Sequence, residues 1–201
     1  MLTFPRKTFT TLLRDVTNIY RQVDEIEKYE RLKMSCIWLC SDWHLGHQGI
    51  SKKFRTQFSS DEDHDQFFVD AYHQAGVKKR DIIFMLGDMV ITQRGFDSLS
   101  QLHGDKRIIL GNHDLERGCS LEQFQQHFTQ IHGALKYKEF WMTHIPIHPN
   151  ELFGKINLHG HVHNKTVQDE RYINLCPEFL MEEFGTPIIK LQDLRQWLRT
   201  R

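Results

Sequence analysis

Charge of one sign, paired cysteines and long apolar runs are what this sequence lacks. Lys plus Arg and Asp plus Glu both number 26, so the formal net charge is zero. That removes the simplest argument for a nucleic-acid or membrane surface and leaves only local basic patches. No apolar run reaches the roughly 18 residues that a membrane-spanning helix needs. The N-terminal stretch MLTFPRKTFTTLLRD has no continuous hydrophobic region and no small-residue cleavage site, so a cytoplasmic protein is expected. The four cysteines, Cys36, Cys40, Cys119 and Cys176, form no C-x-x-C pair and read as structural thiols. Histidine, by contrast, is abundant at thirteen residues. Its placement carries more than its number.

With 201 residues the chain suits one domain with a sizeable core. Residues 8–33 are helical in pattern: Leu12, Val16, Ile19, Val23 and Ile26 recur at steps of four and three. Asp24 with Lys28 and Glu27 with Arg31 add i,i+4 pairs. The stripe predicts a helix packed on its own domain, with a homodimer seam as the alternative. Domain boundaries are expected at 1–33 for this extension and 34–201 for the rest.

Beyond Met34, strands are predicted at 36–41, 81–86, 106–110, 138–144, 155–163 and 171–176, and helices at 61–75, 120–131 and 191–199. Ser60 is a candidate N-cap, Asp61 to Asp63 suit the first turn, and Gly76 can end that helix. Early strands alternate with helices and later ones follow one another closely, which predicts an α/β protein with helix-covered sheets.

Polar residues collect where these strands end. The first strand runs into Asp42-Trp43-His44, the second into Gly87-Asp88 and the third into Gly111-Asn112-His113-Asp114. The fourth runs into His144, and then comes Gly160-His161-Val162-His163. In extended chain, residues i and i+2 point the same way, so Asp42 with His44 and His161 with His163 can each aim at one point. Carboxylate plus imidazole suits divalent transition metals. Glycine before Asp88, Asn112 and His161 allows tight backbone approach. Any one of these fragments is commoner as a turn or a surface pair. Five in order, each after an apolar strand, are hard to attribute to chance.

The combined pattern DWH, GD, GNHD, an isolated H and GHVH resembles the calcineurin-like metallophosphoesterase superfamily, from about Cys36 onward. SDWHLGH and YINLC are similar to small bacterial and phage members. The resemblance implies a four-layer αββα sandwich carrying two divalent transition-metal ions, manganese first, with iron, zinc or nickel as alternatives. Asp42, His44, Asp88 and His163 would hold one ion; Asp88, Asn112, His144 and His161 the other. It further implies in-line attack by a hydroxide shared between the ions, with His113 near the leaving group and oriented by Asp114. Asn112 and His113 would also contact substrate. One departure is Ile91, where many relatives carry an acid that is not a ligand.

His47 lies outside the signature and is expected either to touch substrate or to be exposed. His64, His73, His103, His127 and His132 read as surface or packing residues. Lys52, Lys53 and Arg55 read as a solvated basic loop, with a phosphate-backbone contact as the alternative. The function expected is hydrolysis of phosphate mono- or diesters, nucleotide-like or small. The alternatives are a nuclease and a catalytically silent interaction scaffold on the same fold.

Overall fold

The computed structural model describes residues 35–201; the helix expected over 8–33 lies outside the described residues. Two sheets form the centre. In the first, β1 (Ile37–Cys40), β2 (Ile82–Met85), β3 (Asp105–Ile109) and β4 (Gln130–His132) run parallel, in the order β4-β3-β2-β1. The short β9 (Ile189–Lys190) adds antiparallel to β1. In the second, β5 (Ala134–Tyr137) pairs antiparallel with β6 (Phe140–Thr143), and β7 (Ile156–His159) and β8 (Tyr172–Asn174) continue in parallel.

Alternation along each strand sorts the core into two clusters. Trp38, Cys40, Ile83 and Met85 meet Phe68, Tyr72, Phe96 and Phe124 from the helical layer. Those aromatics come from three helices that follow the short α1 (Ile50–Lys53): α2 (Asp61–Gln74), α3 (Gln93–Ser100) and α4 (Leu121–His127). Leu39, Phe84, Leu86 and Ile109 point the other way, onto Phe140, Met142, Leu158 and Ile173 of the second sheet. The first sheet is therefore buried on both faces, which is why its strands read as unbroken apolar runs. Each such side chain stabilises the fold by about 1.5–3 kcal/mol relative to exposure. The α/β architecture of sheets flanked by helices agrees with the expected fold.

The second sheet turns a more polar face outward, and segment 145–155 folds over it. Asn157 there accepts from the Ile147 N–H at 3.0 Å, and the Tyr172 hydroxyl donates to the Ile147 carbonyl at 2.6 Å. Two further helices, α5 (Pro177–Phe184) and α6 (Leu191–Leu198), supply Leu180, Leu191 and Leu194 to the second cluster. Among the described residues, no helix is long and apolar enough to cross a membrane.

Several expected boundaries move. The helix expected over 120–131 ends at His127, because Phe128 turns extended and Gln130–His132 takes the open edge of β3. The strand expected over 155–163 stops at His159, leaving both His161 and His163 beyond it. Neither α3 nor α5 was foreseen from the periodicity. The α2 signals hold: the Ser60 side chain accepts from the Asp63 N–H at 3.0 Å, and Gly76 follows with φ +75°.

Candidate metal centre

The strand ends bring the motifs together. Pairing between β1 and β2 continues past their last residues: Asp42 N–H donates to Gly87 O and His44 N–H to Asp88 O, both at 3.0 Å. The DWH and GD segments therefore lie side by side. Gly160 N–H donates to His144 O at 2.9 Å, joining the ends of β6 and β7 in the same way. Glycine is required at these approaches, since a Cβ on Gly160 would collide with the Asp42 and Ser41 side chains, and one on Gly111 with Asp88.

Two clusters result. Ligand atoms of Asp42, His44 and His163 lie within 4.8 Å of one another, and so do those of Asp88, His144 and His161. Asn112 joins the second cluster, with its Oδ1 3.1 Å from His144 Nε2. Contrary to expectation, the convergence does not come from extended chain. Asp42, His44, Asp88, His161 and His163 all have φ between 51° and 70°. This left-handed conformation costs on the order of 1–3 kcal/mol each for such residues and persists only where surrounding structure imposes it. Trp43, between two of them, is fully buried and stacks on Phe68 with ring centroids 5.1 Å apart.

The donor set fits divalent cations. His44 Nε2 is buried with no hydrogen-bond partner, and it points toward Asp42 Oδ1 at 3.7 Å. Such an orphaned nitrogen beside a buried carboxylate is costly unless a cation completes the site. Burial works against an imidazolium at His144, but its hydrogen bond to Asp88 and the charges of Asp42 and Asp88 raise its pKa to about 9. The carboxylates thus draw positive charge to this point.

Supporting contacts fix each ligand. Asp42 accepts from the Ser41 hydroxyl, from the His161 N–H at 3.0 Å and from the Cys176 thiol at 3.3 Å. His144 Nδ1 faces the Leu86 carbonyl at 2.8 Å, which turns Nε2 toward Asp88 at 3.3 Å. His163 Nδ1 faces Glu178 Oε2 at 3.4 Å. Glu178 also accepts from Arg55 Nε at 3.0 Å, and Arg55 donates to the carbonyls of Asp42 (2.7 Å) and Trp43 (3.1 Å). Burial pushes the Glu178 carboxyl up, but His163 and Arg55 outweigh it and hold it down to about 2.

Three expectations need correction. Arg55 is not part of a solvated loop: it is buried, while Lys52 and Lys53 are exposed. Asp114 does not orient His113. Its oxygens accept backbone N–H groups of Gly111 (2.7 Å), Asp88 (2.9 Å) and Met89 (2.9 Å), so it holds the loop rather than the ring. The partner of His113 Nδ1 is Glu116 Oε2 at 2.8 Å. The third is the geometry of the paired motifs described above. His47 is half-buried and lines the cavity beside the clusters, as do His113 and Ile91. The cysteines are free, as expected, and three are buried.

A sequence profile of the calcineurin-like phosphoesterases matches residues 37–197. The chain belongs to this family. The family is one of metal-dependent phosphoester hydrolases, and the two clusters are candidate sites for their ions. Over 86 residues the chain is 35% identical to the Gene 66 protein of Mycobacterium phage D29 and 34% identical to that of phage L5. Each match covers 40% of this chain and 41% of the relative, so it spans less than half of those proteins' length. A protein of unknown function from Aquifex aeolicus shares the fold at a TM-score of 0.61 and 19% identity, over 82% of this chain and 100% of that one. A nuclease of Pseudomonas putida aligns at a TM-score of 0.42 with 19% identity, over 63% of this chain and 60% of its own, a likeness too loose to bear on function.

Proposed function

We propose that this phosphoesterase holds two divalent transition-metal ions and hydrolyses phosphate mono- or diesters. Asp42, His44, Asp88 and His163 hold one ion, and Asp88, Asn112, His144 and His161 hold the other. Asp88 is shared. The observation that carries this reading is the pair of adjacent carboxylate–imidazole clusters, one built around Asp42 and one around Asp88. When bound, the ions supply Lewis acidity to the phosphoryl oxygens and to the attacking water. Manganese is favoured, since a set of four imidazoles, two carboxylates and one amide is richer in nitrogen than magnesium prefers.

The chain's own residues do the rest. His113 faces the cavity, and its Nδ1 contact with Glu116 leaves Nε2 free to meet the leaving oxygen. That oxygen takes the Nε2 proton as its bond to phosphorus breaks, a step worth about 10²–10⁴-fold for a poor leaving group. The His113 backbone N–H donates to Asp88 Oδ1 at 2.8 Å, so the ring and the shared carboxylate are held in one frame. Asn112 and His113 are placed to contact substrate oxygens. The location we propose is cytoplasmic.

The test compares chelated and manganese-loaded protein on p-nitrophenyl phosphate and bis-p-nitrophenyl phosphate, with bound metal counted by elemental analysis. Two equivalents of metal and metal-dependent turnover are expected. Equal rates with and without metal would reject the assignment.

A further inference from the structure

A cavity of about 600 Å³ opens directly beside the two clusters, shares His44, His161 and His163 with them, and is also lined by His113. Its volume is of the size that ligand pockets usually have. Its lining also includes residues that take no part in the proposed hydrolysis: Lys53, Phe54, Arg117 and Lys165. Among the described residues, none of these three cations has a carboxylate partner, whereas Arg55 and Glu178 in the same wall pair with each other. The cavity therefore carries uncompensated positive charge alongside a site for divalent cations. A single scissile phosphate is already offset by the metal site. Three more cations suit further phosphates on the same ligand.

Phe54 adds a second requirement. It is 72% exposed, yet the chain on either side of it is pinned. Upstream, Asp61 accepts from the Gly49 N–H at 2.6 Å and from the Ser51 hydroxyl at 2.6 Å, and Ile50 is buried. Downstream, Arg55 is locked into the Asp42–Trp43 carbonyls and Glu178. The ring rests edge-on against His47, with centroids 5.8 Å apart, and leaves a face open. A fixed, open aromatic face next to unpaired cations is the combination that binds bases and backbone of single-stranded nucleic acid.

We propose that this cavity is a nucleotide subsite, and that the substrate is a single-stranded oligonucleotide whose phosphate chain continues past the scissile phosphate. A base stacks on Phe54, and Lys53, Arg117 and Lys165 hold the neighbouring phosphates. The proposal rests on the phosphoesterase reading and narrows its substrate class. It is compatible with zero net charge, because the basic residues concern one wall and not the whole surface.

The test uses the manganese-loaded full chain and fluorescein-labelled hexathymidylate with phosphorothioate linkages that resist hydrolysis, followed by fluorescence anisotropy. Phe54→Ala should weaken binding about 10-fold, within the range that base–aromatic stacking supplies. Lys53→Ala and Arg117→Ala should each flatten the dependence of log affinity on log salt by roughly 0.7, the share of one contact to single-stranded phosphate. Phe153→Ala removes a comparably exposed ring (74%) that does not line this cavity, and should leave binding unchanged. Unchanged affinity in Phe54→Ala, or an equal loss in Phe153→Ala, would overturn the subsite. Thymidine triphosphate competing as tightly as the hexamer would overturn the strand and point to a free nucleotide. Wild-type turnover of bis-p-nitrophenyl phosphate is measured in parallel. If that turnover is present while the binding predictions fail, the subsite falls and the phosphoesterase reading stands.

Discussion

The two halves of the candidate metal centre both combine carboxylate with imidazole but are held by different means. Around Asp42, the supports are mostly side chains: Glu178 on His163, Arg55 on Glu178 and on the Asp42 carbonyl, Cys176 and Ser41 on the Asp42 carboxylate, with the His161 N–H as a backbone donor beside them. Around Asp88, they are mostly backbone: the Leu86 carbonyl on His144 and the His113 N–H on the carboxylate. Asp114, gathering N–H groups of Gly111, Asp88 and Met89, keeps that backbone in place. A half held by side chains can be loosened one substitution at a time. A half held by backbone gives way only through its shared ligand or its loop.

The largest effect is expected where the halves meet. Asp88→Asn weakens the ligand that the proposed two-ion site shares, so elemental analysis should find well below two equivalents of metal. Turnover should fall by more than about 100-fold, beyond what loss of a supporting residue brings. Two full equivalents in this variant would contradict the shared role and make the halves independent.

Asp114→Ala should come next, and should register as lost stability. It strands buried backbone donors, each costing about 1–3 kcal/mol when left unpaired. A drop of at least about 3 kcal/mol in urea unfolding is expected, together with weaker metal binding. A variant with wild-type stability that loses turnover only on poor leaving groups would return Asp114 to a direct role beside His113.

Glu178→Gln tests the other half. It keeps an acceptor for His163 but removes the charge that Arg55 pairs with. A loss of about 10–100-fold in affinity for one ion is expected, with the second ion retained. Stepwise metal titration reads this directly. If both ions weaken together, the side-chain network supports the whole centre and the contrast between halves disappears.

How far this was legible from sequence depends on the range of the forces involved. The strand ends were legible because an apolar run followed by Asp, Asn or His marks a buried strand surfacing with ligands. Helix α2 was legible from Ser60 and Gly76, which act locally. Helix α5 carries comparable local signals in Pro177, Glu178 and Gly185. Helix α3 has Thr92 at its N-cap but Gly95 in its middle, and only the structure shows that a Cβ there would strike the Leu45 carbonyl. The partner of His113 is hidden in the sequence because Asp114 is the adjacent acid. A tight turn, with Glu116 N–H donating to His113 O at 3.1 Å, instead brings Glu116 back to the ring. The Arg55–Glu178 pair spans 123 positions and leaves no local trace.

The smallest effect on the metal centre is expected from the opposite end of the first sheet, where Asp81 serves as a control for both halves. It is buried at the start of β2 and accepts from the Cys36 N–H at 2.9 Å, the Trp38 indole at 3.0 Å and the Lys78 N–H at 3.0 Å. Burial pushes its carboxyl up, but these donors outweigh it and keep the pKa below the usual carboxylate range. A folded-state pKa below the unfolded one means that the ionised group stabilises the fold above the unfolded value, near 4. That contribution is lost as pH falls through the folded value. Asp81→Asn should therefore destabilise the protein by about 1–3 kcal/mol at pH 7, the scale of hydrogen bonds to a charged group. The gap from wild type should narrow progressively below pH 4. Metal stoichiometry should stay at two, since Asp81 touches neither cluster. Urea unfolding at pH 7 and pH 3.5, with metal analysis at pH 7, checks both statements. A gap that is constant with pH would show that Asp81 acts by shape and not by charge, and a lost ion would show that the base of the sheet is coupled to the centre at its top.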